Sequence, residues 1–220
     1  MGTTKIYVYG ASGHGLVVAD VALAARGAKF SEVVFLDDAA GLKFSEDLPK
    51  HPVIIAIGDN KTRAKIQEKV VRAGFEIATL IHQSAIVSPS AAIGEGAVVM
   101  PGAVINARAK IGRGVIINSG VVIEHECEIG EFAHISPNAA LAGGVKVGAF
   151  SHIGIGASVI QRLSIGQRCI IGAGAAVVRD IASDSVAVGV PARVIKKMAE
   201  FKIYSIKSDK IQAFKFNAES

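Results

Sequence analysis

The chain has 220 residues, half of them hydrophobic but only 5% aromatic, with no Trp and 24 Gly. That composition fits one large or two small domains built from short strands and tight turns, rather than packed helices. The net charge of +5 is concentrated at the end: residues 196–220 hold six Lys against three acids, and no basic stripe is interleaved with aromatics, which argues against nucleic-acid binding.

The first eighty residues alternate between strand and helix patterns. KIYVYGASGHG, residues 5–15, reads as a buried strand entering a Gly-rich turn, and LVVADVALAARG predicts a helix ending at Gly27. EVVFLDD is a second strand ending in Asp37 and Asp38, and VIIAIGD a third ending at Gly58 and Asp59. NKTRAKIQEKVVRAG is an amphipathic helix stopped by Gly74, and FEIATLI a short last strand. Alternating β and α elements imply a parallel, Rossmann-like sheet. The turn Gly10-Ala11-Ser12-Gly13-His14-Gly15 lacks the dinucleotide spacing GxGxxG, yet it can bring backbone N–H groups and a helix N-terminus to a phosphate. Asp37 and Asp38 stand where an acid takes ribose hydroxyls or a base N–H, with Gly58, Asp59 and Asn60 on the same rim. This half of the chain, 1–80, is read as a mononucleotide site.

From Ile81 a repeat of period six begins. Stepping by six from Ile81 to Val177 gives seventeen aliphatic residues without a break, and the residue two before each is mostly Ala, Val or Cys. Residues two apart in a strand face the same side, so each hexad points one small and one large residue inward and then turns a corner. Three hexads close a triangular coil of eighteen residues, the parallel β-helix of hexapeptide repeats, here over 81–195. Gly at 94, 112, 130, 148 and 166 marks one corner column, as a repeated corner with positive φ would require. Residues 196–220 form a tail that the pattern does not place.

This register assigns the special residues. Cys127 and Cys169 fall in the small inward column and read as buried thiols, not as a disulfide or a nucleophile. His125 falls at an outward corner beside Glu124, Glu126 and Glu128. His134 and His152 each precede an inward aliphatic residue, so they face outward from a flat wall as neighbours in adjacent coils.

A nucleotide-type domain followed by hexads, with the stretches KIYVYGASGHGLV, FLDD, IAIGDN, LIHQSA, VIEHECEIGEFAHIS and VGVPAR, resembles the hexapeptide-repeat sugar acetyltransferases. That family includes bacterial UDP-4-amino-sugar N-acetyltransferases of the bacillosamine type and sialic acid O-acetyltransferases, and the resemblance covers residues 5–195. It implies a left-handed β-helix, a homotrimer with sites between neighbouring helices, and acetyl-CoA as cosubstrate with no metal. It places His125 and Glu126 as the catalytic pair, and Asn118, His134, Gly143, Ile155 and Ala173 along acetyl-CoA. Ser12, Gly13, His14, Asp37, Asp38 and Gly58 are placed around the UDP-sugar. The implied reaction is N-acetylation of a UDP-4-amino-4,6-dideoxy-N-acetyl sugar to UDP-N,N′-diacetylbacillosamine for protein glycosylation. O-acetylation of sialic acid or another sugar is the alternative.

The chemistry suits the residues. A histidine with a reference pKa of about 6.5 can take the proton of an attacking amine, and an adjacent carboxylate can orient it. Spacing alone leaves the choice among Glu124, Glu126 and Glu128 open. A zinc hydratase on this fold needs two histidines five apart, whereas His125, His134 and His152 are spaced nine and eighteen. A purely structural solenoid does not account for the polar cluster HECE. No apolar run approaches the roughly 20 residues that cross a bilayer, and the start has no signal-peptide layout, so the expected location is the cytoplasm.

Overall fold

The computed structural model describes residues 4–27, 30–39 and 41–197, together with the backbone of 204–207 and 210–213. Its N-terminal part is an α/β unit and the remainder a three-walled parallel β-solenoid.

In the α/β unit, strand β1 (Lys5–Tyr9) lies between β2 (Glu32–Leu36) and β3 (Val53–Ile55), all parallel. Burial on both faces explains why β1 and β3 read as unbroken apolar runs. One face packs Ile6, Val8 and Ile54 against Val18, Val21 and Ala22 of helix α1 (Gly13–Leu23) and against Val98 and Met100 of the solenoid. The other packs Tyr7, Tyr9, Val53 and Ile55 against Val70 of helix α2 (Asn60–Arg72), with Phe75 and Ile77. Asp59 caps α2, its carboxylate accepting the Thr62 N–H at 2.8 Å.

Two boundaries differ from expectation, for one reason. Helix α1 ends at Leu23 rather than reaching Gly27, because the next residues are used by the first coil: Arg26 N–H donates to Ile81 and Gln83 N–H to Ala24. The FEIATLI strand shrinks to a single bridge between Ile77 and Val53. The chain then leaves the sheet, and Leu80–Ile81 becomes the first rung of the solenoid.

The solenoid follows the hexads rung by rung. Each two-residue strand pairs with the one eighteen residues on, so Ile117 stacks on Ile135 and His134 on His152. The inward aliphatic and small columns form one continuous core that includes Cys127 and Cys169. The three walls differ outside. The first, carrying Val98, Ile116, His134 and His152, lies under the α/β unit. The second shows Ile86, Val104, Val122, Ala140, Ser158 and Ala176, with no charge, and Ile86 is 65% exposed. The third shows Lys110, Glu128 and Lys146 as a ladder of ion pairs.

The glycine column is explained differently from the expectation. Positive φ occurs not at 94, 112, 130, 148 and 166 but two residues later, and it recurs every six residues from 96 to 174. Half of those corners are not Gly: Arg108, Glu126, Phe132, Asn138, Phe150, Arg162 and Arg168 all have φ between 53° and 60°. The five glycines are required by close approach instead. A Cβ at Gly130 would meet the Ala149 nitrogen at 2.5 Å in the next coil. After the last coil, Arg193–Lys197 returns antiparallel to Ser185–Val188, so the start of the expected tail is a sheet strand. Tyr204–Lys207 and Lys210–Ala213 pair as a hairpin, and the rest of the tail lies outside the described residues.

Gly130→Ala is therefore expected to destabilise the fold by about 1–3 kcal/mol through overpacking. Gly156→Ala, at φ 65° with open space around it, should show only the left-handed backbone penalty of about 1 kcal/mol. Urea unfolding of the two variants checks the order.

Candidate active site

The corner between the second and third walls presents His125. It follows inward Ile123, and its side chain is 60% exposed. Its Nδ1 lies 3.3 Å from Glu126 Oε2, and Glu126 Oε1 accepts from Arg108 at 2.6 Å, one coil earlier. Glu126 sits in the left-handed corner conformation, φ 60°, which turns its carboxylate back toward the ring. Glu124 reaches only the His125 backbone N–H, at 3.4 Å, and Glu128 pairs with Lys110 and Lys146. One coil on, a Cβ at Gly143 would come within 2.5 Å of His125 Nε2, so the glycine leaves that nitrogen room. A proton on Nδ1 directed at Glu126 leaves the Nε2 lone pair as acceptor.

A second cluster lies where the α/β unit covers the first wall. His134 and His152 stack with ring centres 4.7 Å apart, and His14 of α1 lies 6.3 Å from His134. The Asn118 amide oxygen accepts from Ser119 N–H, so its Nδ2 donates to His134 Nε2 at 3.1 Å. His152 Nε2 meets Ser136 Oγ at 2.7 Å. Beneath them Arg63 is 1% exposed.

Burial and mutual charge keep this cluster poor in protons. Burial pushes the His134 pKa down to about 3, helped by the charges of His152, Arg63 and His14 and opposed by the Gly58 backbone. His14 and His152 are lowered by burial and then by Arg63. Burial takes Arg63 itself to about 10, against the pull of Asp59. Hence His134 and His152 are not the solvated wall residues that their outward register suggests.

The nucleotide-type rim forms at the carboxyl ends of the three strands. The Asp37 carboxylate accepts from Ala11 N–H at 3.0 Å and from Ala39 N–H at 2.8 Å, tying the Gly-rich turn to β2. Gly15 is obligatory, since a Cβ there would collide with the Gly10 carbonyl. Ser12 holds the N-cap position of α1 without a side-chain cap bond. His14 Nε2 is buried with no hydrogen-bond partner, as is His134 Nδ1. Asp38 raises the Tyr9 pKa, after burial. Among the described residues no cluster of three or more His, Cys, Asp or Glu could hold a metal ion.

The expected site residues thus fall into three places. Ser12, Gly13, His14, Asp37, Asp38 and Gly58 share the rim. Asn118 and His134 touch each other, and Ile155 and Ala173 follow Asn118 along the corner between the first and second walls. His125, Glu126 and Gly143 stand at the opposite edge of the second wall.

Comparison with known proteins matches these parts. Residues 5–70 match the PglD N-terminal domain, and residues 90–125 and 108–143 the bacterial transferase hexapeptide, six repeats. The acetyltransferase domain of PglB from Neisseria gonorrhoeae in complex with acetyl coenzyme A is 38% identical. That match covers 88% of this chain and 100% of that one, with a TM-score of 0.82. The chain belongs to the PglD-type hexapeptide-repeat acetyltransferase family. PerB from Caulobacter crescentus, solved with CoA and GDP-perosamine, is also 38% identical, covering 89% and 98% of the two chains with a TM-score of 0.79. UDP-N-acetylbacillosamine N-acetyltransferase of Bacillus subtilis (strain 168) is 39% identical over 112 residues, 44% of this chain and 51% of that protein, so the chain matches about half the length of this relative.

Within this PglD-type chain, sequence reasoning passed over Arg63 and Arg108, and it placed Asn60 on the nucleotide rim, whereas the Asn60 side chain turns to the solenoid carbonyls of Phe150 and Ser151. The signal for Asn60 and Arg63 was present: Asn60, Arg63, Gln67 and Val70 form a helical stripe, and all four are buried. Polar residues on the buried stripe of an amphipathic helix point to a polar partner. Nothing in the sequence marks Arg108 apart from its place eighteen residues before Glu126.

The depressed imidazoles make stability depend on pH. A histidine whose folded pKa lies below its unfolded value near 6.5 binds protons more readily when unfolded, so its contribution is complete above about pH 6.5 and drains away toward pH 3. Unfolding free energy should fall on acidification through this window, and His134→Gln should flatten the slope by about 1.4 kcal/mol per pH unit. Urea titrations from pH 7 to pH 4.5 measure it.

Proposed function

We propose that the chain acetylates the 4-amino group of a UDP-4-amino-4,6-dideoxy-N-acetyl sugar from acetyl-CoA, giving UDP-N,N′-diacetylbacillosamine, with His125 as general base. The observation that carries this is the His125 corner: an exposed imidazole tied at Nδ1 to a carboxylate that an arginine holds, with Nε2 left room by a glycine. The name of the Bacillus subtilis relative, a UDP-N-acetylbacillosamine N-acetyltransferase, and the GDP-perosamine and CoA bound in PerB support the substrate class.

In this reading the neutral amine attacks the thioester carbonyl. His125 Nε2 takes the amine proton as the C–N bond forms, and Glu126 stabilises the imidazolium. The C–S bond then breaks, and the sulfur takes the proton held by the His125 imidazolium, so that CoA leaves as its thiol and His125 is again neutral. An Asn118 N–H not used on His134, or a backbone N–H, stabilises the oxyanion. Both thiols are buried, and burial raises the pKa of each, so neither supplies an acyl-enzyme nucleophile. Residues 1–80 serve as a Rossmann-like UDP-sugar domain, residues 81–195 as the acyltransferase domain, and 196–220 as the tail. Ser12, Gly13, His14, Asp37, Asp38 and Gly58 hold the nucleotide sugar. Asn118, His134, Gly143, Ile155 and Ala173 line acetyl-CoA.

A homotrimer fits the walls. The first wall is covered by the chain itself over its early rungs, with Ile170 left exposed at its far end, and the third is charged, which leaves the uncharged second wall to meet other copies. Packing that wall around a threefold axis brings the His125 edge of one copy beside the Asn118, Ile155 and Ala173 edge of the next. The site groups that one chain holds apart then meet across an interface. Among the described residues no helix is long and apolar enough to cross a membrane, and we place the reaction in the cytoplasm, where acetyl-CoA is supplied.

Acetyl-CoA-dependent thiol release with the UDP-4-amino sugar is the first test. Wild type should turn over, and His125→Ala should lose about 10²–10⁴-fold in kcat while still binding acetyl-CoA. Equal release from both proteins rejects His125 as base, and release only with a hydroxyl acceptor moves the reading to O-acetylation. Gly143→Ala should lose activity on a comparable scale without loss of fold, because its methyl displaces the base. Val122→Glu should convert the trimer to monomers in sedimentation velocity and abolish turnover.

A further inference from the structure

Helix α2 grips the solenoid through its first turn. Arg63 Nε donates to the Gly114 carbonyl at 2.7 Å. Its Nη1 donates to Ile57 at 2.9 Å and to Gly58 at 3.1 Å. Its Nη2 donates to Asn60 Oδ1 at 2.8 Å and to the carbonyls of Phe132 and Ala133 at 2.8 and 3.3 Å. Asn60, oriented by that bond, donates from Nδ2 to the carbonyls of Phe150 at 3.0 Å and Ser151 at 3.3 Å. The pair therefore holds the backbone immediately before His134 and immediately before His152. The same guanidinium holds the end of β3, where Gly58 belongs to the nucleotide rim.

We propose that Arg63 is a positioning residue that sets the placement of the nucleotide-sugar rim relative to the acetyl-CoA wall. This rests on the assignment of the two substrates made above. The arrangement is suited to the task. A guanidinium presents five N–H donors in a rigid fork, and here they span three separate stretches of chain: the end of β3 and two coils of the solenoid. Every contact is to a neutral oxygen, so the charge is not consumed in a direct ion pair. It also helps keep His14, His134 and His152 neutral, which preserves His134 Nε2 as the acceptor for Asn118. Arg63 is buried behind these rings and touches no reacting atom. Its effect on transfer is through Gly58 and Ala133, and a misplacement of about 1 Å between reacting groups costs on the order of 10²-fold in rate.

The test uses the full chain and the variants Arg63→Met and Arg63→Lys. UDP and CoA are titrated separately by calorimetry, and turnover is measured with acetyl-CoA and the UDP-4-amino sugar. Both variants are expected to bind each ligand alone at wild-type stoichiometry and within about threefold in Kd, while kcat falls about 10²-fold. Lysine should not rescue kcat, because one ammonium cannot reach Gly58, Gly114 and Ala133 together. If kcat falls only in proportion to binding stoichiometry, Arg63 is a structural residue and the proposal fails. It also fails if kcat stays within about threefold of wild type. Should Arg63→Met not fold, Arg63→Lys decides by the same criteria. If wild type turns over neither UDP- nor GDP-linked amino sugars, the reaction assignment falls instead. The positioning role is then read from hydrogen exchange of the His134 and His152 amides, which follow the carbonyls that Arg63 and Asn60 hold, expected to speed up in Arg63→Lys and overturned by an unchanged rate.

Discussion

Each coil must turn three corners in eighteen residues while stacking on its neighbours at the spacing of strands, about 4.8 Å. This constraint governs the rest of the molecule. It fixes the inward columns, requires glycine where coil backbones nearly touch, and forces left-handed backbone at every sixth residue from 96 to 174. Seven of those corners carry side chains larger than Gly, at a backbone cost on the order of 1 kcal/mol each. Several of the seven have identifiable work. Glu126 is aimed at His125, Arg108 at Glu126, and Phe132 and Phe150 stack under α2. At those four corners the strain coincides with positions where the solenoid presents candidate chemistry or docks the α/β unit.

The two halves of the chain are joined by polar groups as well as by apolar contact. Val98 and Met100 add to the α/β core, but Arg63 and Asn60 carry the registration, because hydrogen bonds to named carbonyls fix position in a way that apolar packing does not. A buried cation without a carboxylate partner is costly, and here it is offset by six oxygen contacts. The potential it creates reaches the imidazoles stacked beside it, so docking, histidine protonation and the placement of Gly58 are aspects of one arrangement.

His125 stands in contrast. It lies at the open edge of the solenoid, among charges that solvent screens, and its environment is set within two adjacent coils by the eighteen-residue spacing of Arg108 to Glu126 and of His125 to Gly143. A general base needs access to substrate and an oriented tautomer. The corner offers an exposed ring and an oriented tautomer, while the half-buried imidazoles across the second wall serve better as neutral hydrogen-bond partners.

The sequence by itself determined the solenoid, its register, the buried thiols, the outward direction of His125 and the adjacency of His134 and His152, because an eighteen-residue period converts chain position directly into spatial position. It also determined the parallel sheet and the Gly-rich rim. Only the tertiary structure decided which corner residues take left-handed backbone, since that depends on coil contacts and not on residue type. It also decided that helix α1 stops at Leu23, because the first coil takes the next backbone groups, and that the outward histidines are half-buried, because another part of the chain covers that wall. Arg63 was visible as a polar residue on an apolar stripe, but its partners are carbonyls up to seventy residues away, and backbone oxygens carry no mark in the sequence. Periodicity is local and can be read along the chain; the docking of two units is a matter of surfaces, and exists only once both have folded.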